Sequence, residues 1–135
     1  MKHSISWQAS NFVVVGCIGF IVDGGILTVL NSVYDIDLLR ARMVSFSVAV
    51  TITWLLNRRR TFADRKDHRV VREWVRYAAV NGLGALLNLG IFFWLLHQFS
   101  VLANAPLIPL AIAASIALVF NFLASRQIAF RYPQT

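Results

Sequence analysis

Four long apolar runs constrain the fold of this chain more than any other feature of its sequence. They cover about 11–30, 38–56, 75–96 and 103–124, and a helix of about 20 residues is enough to cross roughly 30 Å of hydrocarbon. Strands of a membrane β-barrel would be shorter and would alternate polar with apolar side chains. The runs therefore predict an all-α membrane protein in which residues 1–135 form a single domain with four transmembrane helices.

The composition also indicates a lipid-embedded protein. The chain is 58% hydrophobic and 14% charged, whereas about a quarter of the residues of a soluble domain are charged. It has 13 Lys and Arg against 6 Asp and Glu, and nucleic-acid-binding proteins share such a positive excess. Here the basic residues lie at the ends of the apolar runs, as they do in membrane proteins, so we expect no nucleic-acid partner.

The distribution of basic residues predicts the topology. One side of the bundle receives both termini and the connection between the second and third helices, with these basic residues: Lys2, Arg58, Arg59, Arg60, Arg65, Lys66, Arg69, Arg72, Arg76, Arg126 and Arg131. The other side has Arg40 and Arg42. Because Lys and Arg concentrate in cytoplasmic loops, we expect a multi-pass protein with both termini in the cytoplasm.

The segment before the third run predicts an amphipathic lead-in to that helix. On a helical projection one face is apolar, with Val70, Val71, Trp74 and Val75. The remaining surface is charged, with Arg69, Arg72, Glu73 and Arg76. A helix patterned in this way is expected to lie at the cytoplasmic membrane interface.

The two halves of the sequence resemble each other. The matched positions include Gly19 with Gly84, Asp23 with Asn88, and Arg58 with Arg126. Each half holds two helices, so repeats at about 11–62 and 76–130 would have the same orientation in the membrane. In such parallel repeats a substrate site is expected between the two units.

Two motifs carry a family resemblance. The first helix contains Gly-x-x-Gly-x-x-x-Asp, ending at Asp23, and the second ends in Asn-Arg-Arg-x-Thr-Phe at 57–62. With the two hairpins, this order resembles the GtrA family over about 11–130, although Arg60 and Ile128 stand where its members usually have an aromatic residue. The resemblance implies translocation of a polyprenyl phosphate such as undecaprenyl phosphate, or of a sugar linked to it. The membrane would be the bacterial inner membrane, and the sugar would serve cell-surface polysaccharide glycosylation.

Two other functions stay open at this point. Some members of the family are thought to anchor or support glycosyltransferases without transport, and a membrane glycosyltransferase would then be the partner. Four short helices with an acid in the first also resemble small proton-coupled multidrug exporters, although a basic rim would repel cationic substrates. Four helices leave little room for a sugar head, so a homo-oligomer is expected.

Arginine rather than lysine supplies 11 of the 13 basic residues. A planar guanidinium binds phosphate through two parallel hydrogen bonds, whereas lysine would serve topology equally well. Arg58, Arg59 and Arg126 are therefore candidate ligands of the lipid phosphate, beside their simpler role of fixing topology. Asn57 and Asn121 are candidates for a polar groove next to them, with interhelical hydrogen bonding as the alternative.

Asp23 and its repeat partner Asn88 are the candidate gating residues inside the membrane. A carboxylate at the centre of a transmembrane helix costs about 2.5–3.5 kcal/mol on insertion scales, so Asp23 is expected to face protein or water. It would couple protons, gate the substrate or pair with an arginine of the substrate path. The alternative is a structural hydrogen bond to Asn88 or to a serine of the second helix.

Two further expectations concern packing. Arg40 and Arg42 are expected to pair with the neighbouring Asp35 or Asp37, with a phosphate contact as the alternative. Four glycines are expected to allow close approach of helices: Gly16, Gly19, Gly82 and Gly84.

The sequence has no pattern typical of a catalytic or metal site. Its three histidines are scattered and it has one cysteine, which does not match the ligand spacing of a metal site. A Gly-Lys-Ser/Thr phosphate-binding loop is also missing from the sequence. We therefore expect no cofactor, no bound metal and no enzymatic activity.

Overall fold

The computed structural model describes residues 4–131, and the regular structure within that range is entirely helical. The long helices are α1 (Ile5–Ser32), α2 (Leu38–Leu56), α3 (Val70–Gln98) and α4 (Leu107–Ala124). Helices α2 and α4 each continue into one π-helical turn, over Asn57–Thr61 and Ser125–Ala129. All four are long and apolar enough to cross a membrane, which confirms the predicted fold class.

The helix boundaries follow local capping and differ in part from the predicted runs. The Ser4 hydroxyl accepts a hydrogen bond from the Trp7 N–H, so α1 begins six residues earlier than predicted. Asp37 caps α2 by accepting from the Leu39 N–H at 3.0 Å, and that helix begins at the predicted position. Helix α4 begins later than predicted, because the ring of Pro106 disfavours helical backbone in the residue before it.

Each half of the chain forms an antiparallel helical hairpin, α1 with α2 and α3 with α4, and α2 also packs on α3. The connections at 33–37 and 99–106 therefore lie at one end of the bundle, which we call the turn end. The π-helical turns and the connection at 62–69 lie at the other end, which we call the arginine end. The positive φ of Asp35 falls in the first tight turn, where Asp tolerates the left-handed region.

Buried aromatic rings close the bundle at the arginine end. Phe62 and Phe130 follow the two π-helical turns directly, have no exposed surface and stack with ring centroids 4.7 Å apart. Phe12 and Phe122 contact each other edge-on at 5.5 Å, and Tyr77 contacts Phe130 at 5.8 Å. We call these five residues the aromatic layer.

The π-helical turns have the same backbone pattern in both hairpins. The Phe62 N–H donates to the Asn57 carbonyl at 2.8 Å, and the Phe130 N–H donates to the Ser125 carbonyl at 2.8 Å. The Thr61 hydroxyl also donates to the Asn57 side chain at 2.7 Å. The extra residue in each turn brings both phenylalanines into the core, while the division into repeats at 11–62 and 76–130 stays a prediction.

Two of the four selected glycines lie at close helix contacts. A Cβ at Gly19 would overlap the Thr53 side chain, and a Cβ at Gly84 would overlap the Asn121 side chain. A Cβ at Gly16 or Gly82 would meet no atom of the described chain within 4 Å. The expectation of close packing is therefore right for the first pair and wrong for Gly16 and Gly82 within this chain.

Candidate functional site

A cavity of about 330 Å³ lies between the two hairpins and is lined by all four helices. We call it the central cavity. Its polar lining residues are Asp23, Thr53, Asn57, Tyr77, Asn81, Asn88 and Asn121. Within the described part of the chain, Asp23 is the one Asp, Glu, Lys or Arg in the lining. The cavity therefore offers mainly neutral hydrogen-bonding groups to a ligand.

Asp23 is held at the turn-end side of the cavity by two side chains of α2. Its Oδ2 lies 2.6 Å from Nη1 of Arg42, and its Oδ1 accepts a hydrogen bond from the Ser45 hydroxyl at 2.7 Å. Residues 23 and 45 are equally distant from position 34 in the connecting turn, so they lie level in the hairpin. That spacing is the signal in the sequence that could have identified the pair.

The partners expected for Asp23 and for the turn-end arginines are found in part. The hydrogen bond from a serine of the second helix is confirmed, whereas Asn88 lines the same cavity and is not a hydrogen-bond partner of Asp23 in the range 4–131. Arg40 pairs with Asp37 at 3.2 Å, as expected. The expectation for Arg42 is wrong, because its side chain extends along α2 to the level of Asp23.

Arg58 is bound internally at the arginine end. Its Nη1 lies 2.7 Å from Oε2 of Glu73, and both terminal nitrogens donate to the Asp67 carbonyl at 3.2 Å. Glu73 also accepts from the Trp54 indole at 3.0 Å and from the Asp67 N–H at 2.7 Å. These contacts connect α2, the central connection and the start of α3.

The burial of Glu73 contradicts the prediction that this residue lies on the charged, exposed face of the lead-in. The lead-in is the first part of α3, and its Glu73 has no exposed surface, whereas the apolar Val71 is 75% exposed. The acid turns inward because three donors satisfy it, which is the condition for burying a carboxylate. Sequence reasoning missed this residue, although a single acid among arginines was a signal. The interfacial placement of the lead-in stays a prediction.

The other predicted phosphate ligands differ in their exposure. Nε of Arg126 donates to the buried Gln8 side chain at 3.0 Å, and Arg65 donates to the Arg126 carbonyl at 3.3 Å. Arg59 is exposed, and its side chain is in no hydrogen bond or ion pair with residues 4–131. Of the three predicted arginines, Arg59 thus has its guanidinium free, and convergence of Arg58 and Arg126 on one headgroup stays a prediction.

The two predicted groove asparagines have different surroundings in the cavity. Asn57 is buried and donates to the Tyr77 hydroxyl at 2.9 Å, so its amide is used within the protein. Oδ1 of Asn121 is buried and has no hydrogen-bond partner among residues 4–131. Tyr77 and Asn81, which also line the cavity, were not selected from the sequence. Tyr77 falls within the matched segments of the two halves, which could have drawn attention to it.

Asp67 lies in the connection between the membrane-spanning helices. Its Oδ1 accepts from the Arg69 N–H at 2.9 Å, and its Oδ2 lies 3.6 Å from the Arg76 guanidinium. The backbone hydrogen bond, followed by the positive charge of Arg76, Arg72 and Arg69, lowers the pKa of this carboxyl below its ordinary value of 3.8. The carboxylate is therefore charged at neutral pH, and it partly balances the positive charge of the arginine end.

A comparison with protein families agrees with this architecture. The family described as "GtrA/DPMS, transmembrane domain" matches residues 11–130, which is nearly the whole described chain. The match confirms the resemblance seen in the motifs of the first and second helices, and it relates the chain to polyprenyl-phosphate-sugar flippases. The four-helix bundle with its polar central cavity is therefore a membrane protein of the GtrA/DPMS transmembrane-domain family.

Proposed function

We propose that this protein moves the head of a polyprenyl phosphate, free or linked to a sugar, across the bacterial inner membrane through the central cavity. The observation that carries the proposal is the cavity itself, about 330 Å³ with a polar lining inside a membrane-spanning bundle. Polar residues within transmembrane helices are costly and usually mark a substrate path. Family membership supports the lipid-carrier class of substrate.

The lining suits the hydroxyl groups of a sugar. A hydroxyl removed from water without a new hydrogen bond costs roughly 1–3 kcal/mol by protein mutational data, which prevents spontaneous crossing of a sugar head. Asn81 and Asn88 carry amides that donate and accept, whereas Oδ1 of Asn121 is buried against Gly84. Such groups replace water around the head while the prenyl tail stays in lipid.

The volume of the cavity limits the cargo. Small-molecule sites occupy about 300–1,000 Å³, and the central cavity lies at the lower end of that range at about 330 Å³. A head with one sugar and one phosphate is therefore the expected cargo. A long oligosaccharide exceeds this space in a single bundle.

Capture of the head is assigned to the arginine end. Each basic residue near an anionic membrane surface contributes about 1 kcal/mol of attraction, and the exposed Arg59 has free donors for a phosphate. Phe12 and Tyr77 of the aromatic layer line the cavity, and the stacked Phe62 and Phe130 contact them at the arginine end. We propose that the stacked Phe62 and Phe130 move apart as the head passes from the arginine end into the cavity.

The test is an exchange assay in proteoliposomes. Purified protein is reconstituted with a polyprenyl-phosphate hexose, and access of its sugar to a membrane-impermeant oxidant is followed from outside. A fluorescent phosphatidylcholine in the same vesicles reports general lipid scrambling. We expect the hexose lipid to exchange faster than in protein-free vesicles while the phosphatidylcholine does not.

Two results would contradict the proposal. Equal acceleration of both lipids would indicate unspecific scrambling, and no acceleration by folded protein would favour the alternative role of anchoring a glycosyltransferase. In the second case, a membrane glycosyltransferase that co-purifies with the protein and keeps its activity after neutralisation of Arg59 would support anchoring.

A further inference from the structure

The Arg42–Asp23 pair at the turn end has chemistry that the headgroup path described so far does not use. Arg42 reaches the edge of the cavity, since its guanidinium bonds to the cavity-lining Asp23 at 2.6 Å. An anion that has passed the neutral lining meets a positive charge there. Arg40 is directed elsewhere, with its side chain 84% exposed and paired with Asp37.

The geometry leaves most of the Arg42 guanidinium available. The side chain is 52% exposed, and the one side-chain bond that it makes to residues 4–131 uses Nη1. A guanidinium has five N–H donors, so the remaining donors can contact a phosphate while Arg42 is still close to Asp23. A phosphate that accepts two parallel hydrogen bonds competes well with a single carboxylate contact.

Asp23 has a second partner that keeps it satisfied when Arg42 leaves. Oδ1 accepts from the Ser45 hydroxyl at 2.7 Å, and Ser45 has no exposed surface. A buried carboxylate without any partner would be costly, and the serine reduces that cost. Arg42 can therefore exchange partners while Asp23 keeps its hydrogen bond from Ser45.

We propose that Arg42 is the phosphate-binding residue at the turn end of the cavity, and that it exchanges Asp23 for the phosphate of the polyprenyl carrier. The inference rests on the proposed function for its substrate class. Asp23 then acts as a competitor that returns Arg42 to the resting pair and releases the head. The ligand chemistry is a phosphate ester on an isoprenoid chain, rather than a free phosphate ion or the head of an ordinary phospholipid.

The test is equilibrium binding of farnesyl phosphate to the full-length protein in phosphatidylcholine nanodiscs, with farnesol, inorganic phosphate and phosphatidylglycerol as comparison probes. The variants are Arg42→Gln, its matched control Arg40→Gln, and Asp23→Asn. Binding at the arginine end contributes equally to the two arginine variants, so their difference isolates the turn end. We expect Arg42→Gln to weaken farnesyl phosphate binding about tenfold and Arg40→Gln to change it less than about twofold.

The Asp23→Asn variant gives the more specific result. It removes the competitor and keeps a polar side chain beside Ser45, so farnesyl phosphate should bind about threefold to tenfold more tightly, with farnesol unchanged. Weaker or unchanged binding in Asp23→Asn would overturn the inference, as would equal effects of the two arginine variants. Competition by inorganic phosphate or phosphatidylglycerol as strong as that by farnesyl phosphate would overturn the assignment to an isoprenoid carrier.

This result is separable from the proposed function. If wild-type protein exchanges the hexose lipid while Arg42→Gln binds and exchanges it normally, the inference fails and the function stands. If farnesyl phosphate binding depends on Arg42 and Asp23 but wild-type protein exchanges nothing, the phosphate site stands and translocation fails.

Discussion

Glu73 shows at the residue scale how this bundle accommodates charge. It is fully buried and yet accepts from Arg58, Trp54 and the Asp67 backbone, so its charge is balanced inside the protein. Asp23 has a comparable arrangement at the turn end, with Arg42 and Ser45. Asp23 is matched to an arginine of its own hairpin, and Glu73 is matched to Arg58 at the end of α2 in the other hairpin, which leaves the neutral asparagines to line the cavity.

Removal of the Glu73 carboxylate should destabilise the fold strongly. Glu73→Ala leaves Arg58 largely buried without its counter-ion, for which we expect a loss of about 3–5 kcal/mol in the free energy of unfolding. Trp54→Phe removes one hydrogen bond to the same acid and should cost about 1 kcal/mol. Unfolding in mixed micelles with increasing SDS measures both values, and similar small losses in the two variants would contradict this account of the network.

Glycine substitutions separate close helix contacts from open positions. Gly19→Ala and Gly84→Ala place a methyl group against Thr53 and Asn121 respectively, and overpacking of this kind costs about 1–3 kcal/mol. Gly25→Ala meets nothing within 4 Å and should be neutral or stabilising by up to about 1 kcal/mol through helix propensity. The same unfolding assay checks the order, and equal stability of all three variants would show that the hairpins are not held at these contacts.

At the scale of elements, the π-helical turns link the ends of α2 and α4 to the closure of the bundle. Each turn directs the phenylalanine that follows it inward, and the two rings stack at 4.7 Å. The sequence showed the Asn-Arg-Arg-x-Thr-Phe motif but not the inward path of its phenylalanine. A π-helical turn differs from an α-helix by one residue per turn, and tertiary packing rather than local propensity decides between them.

The aromatic layer should be sensitive to truncation. Phe62→Ala or Phe130→Ala removes a fully buried ring, and such changes cost about 3–5 kcal/mol in protein cores. Phe93→Ala is the control, because that ring is 62% exposed and should change stability by less than about 0.5 kcal/mol. Thermal unfolding in detergent measures the difference, and a Phe62→Ala variant as stable as the control would argue against a closed layer.

At the scale of the whole molecule, the hydrophobic pattern of the sequence predicted the helices better than the polar residues predicted their own partners. Each of the four apolar runs corresponds to a helix because lipid requires about 20 apolar residues whatever their order. The partners of Arg42 and Glu73 depend on the rotation of one helix against another, which periodicity alone leaves undetermined. The cavity was likewise expected between the halves, but its lining by Tyr77 and Asn81 required the structure.

The uneven distribution of basic residues predicts how the protein is oriented in the membrane. The antiparallel hairpins make that prediction more specific. Because α1 and α3 run in one direction and α2 and α4 in the other, the described range begins and ends at the arginine end, which we expect to face the cytoplasm. Alkaline phosphatase, active only outside the cytoplasm, should be inactive when fused after residue 135 and active when fused in the turn at 33–37. The opposite pattern would reverse the assigned direction of capture.

The central claim is that the head of the lipid passes through the central cavity, and one matched pair of variants tests it most directly. Gly16 and Gly25 both lie on α1, and a Cβ at either meets nothing within 4 Å, but only Gly16 lines the cavity. We expect Gly16→Leu to slow exchange of the polyprenyl-phosphate hexose in proteoliposomes at least about tenfold, and Gly25→Leu to stay within about twofold of wild type. Equal exchange rates in the two variants, with both folded, would contradict passage through the cavity.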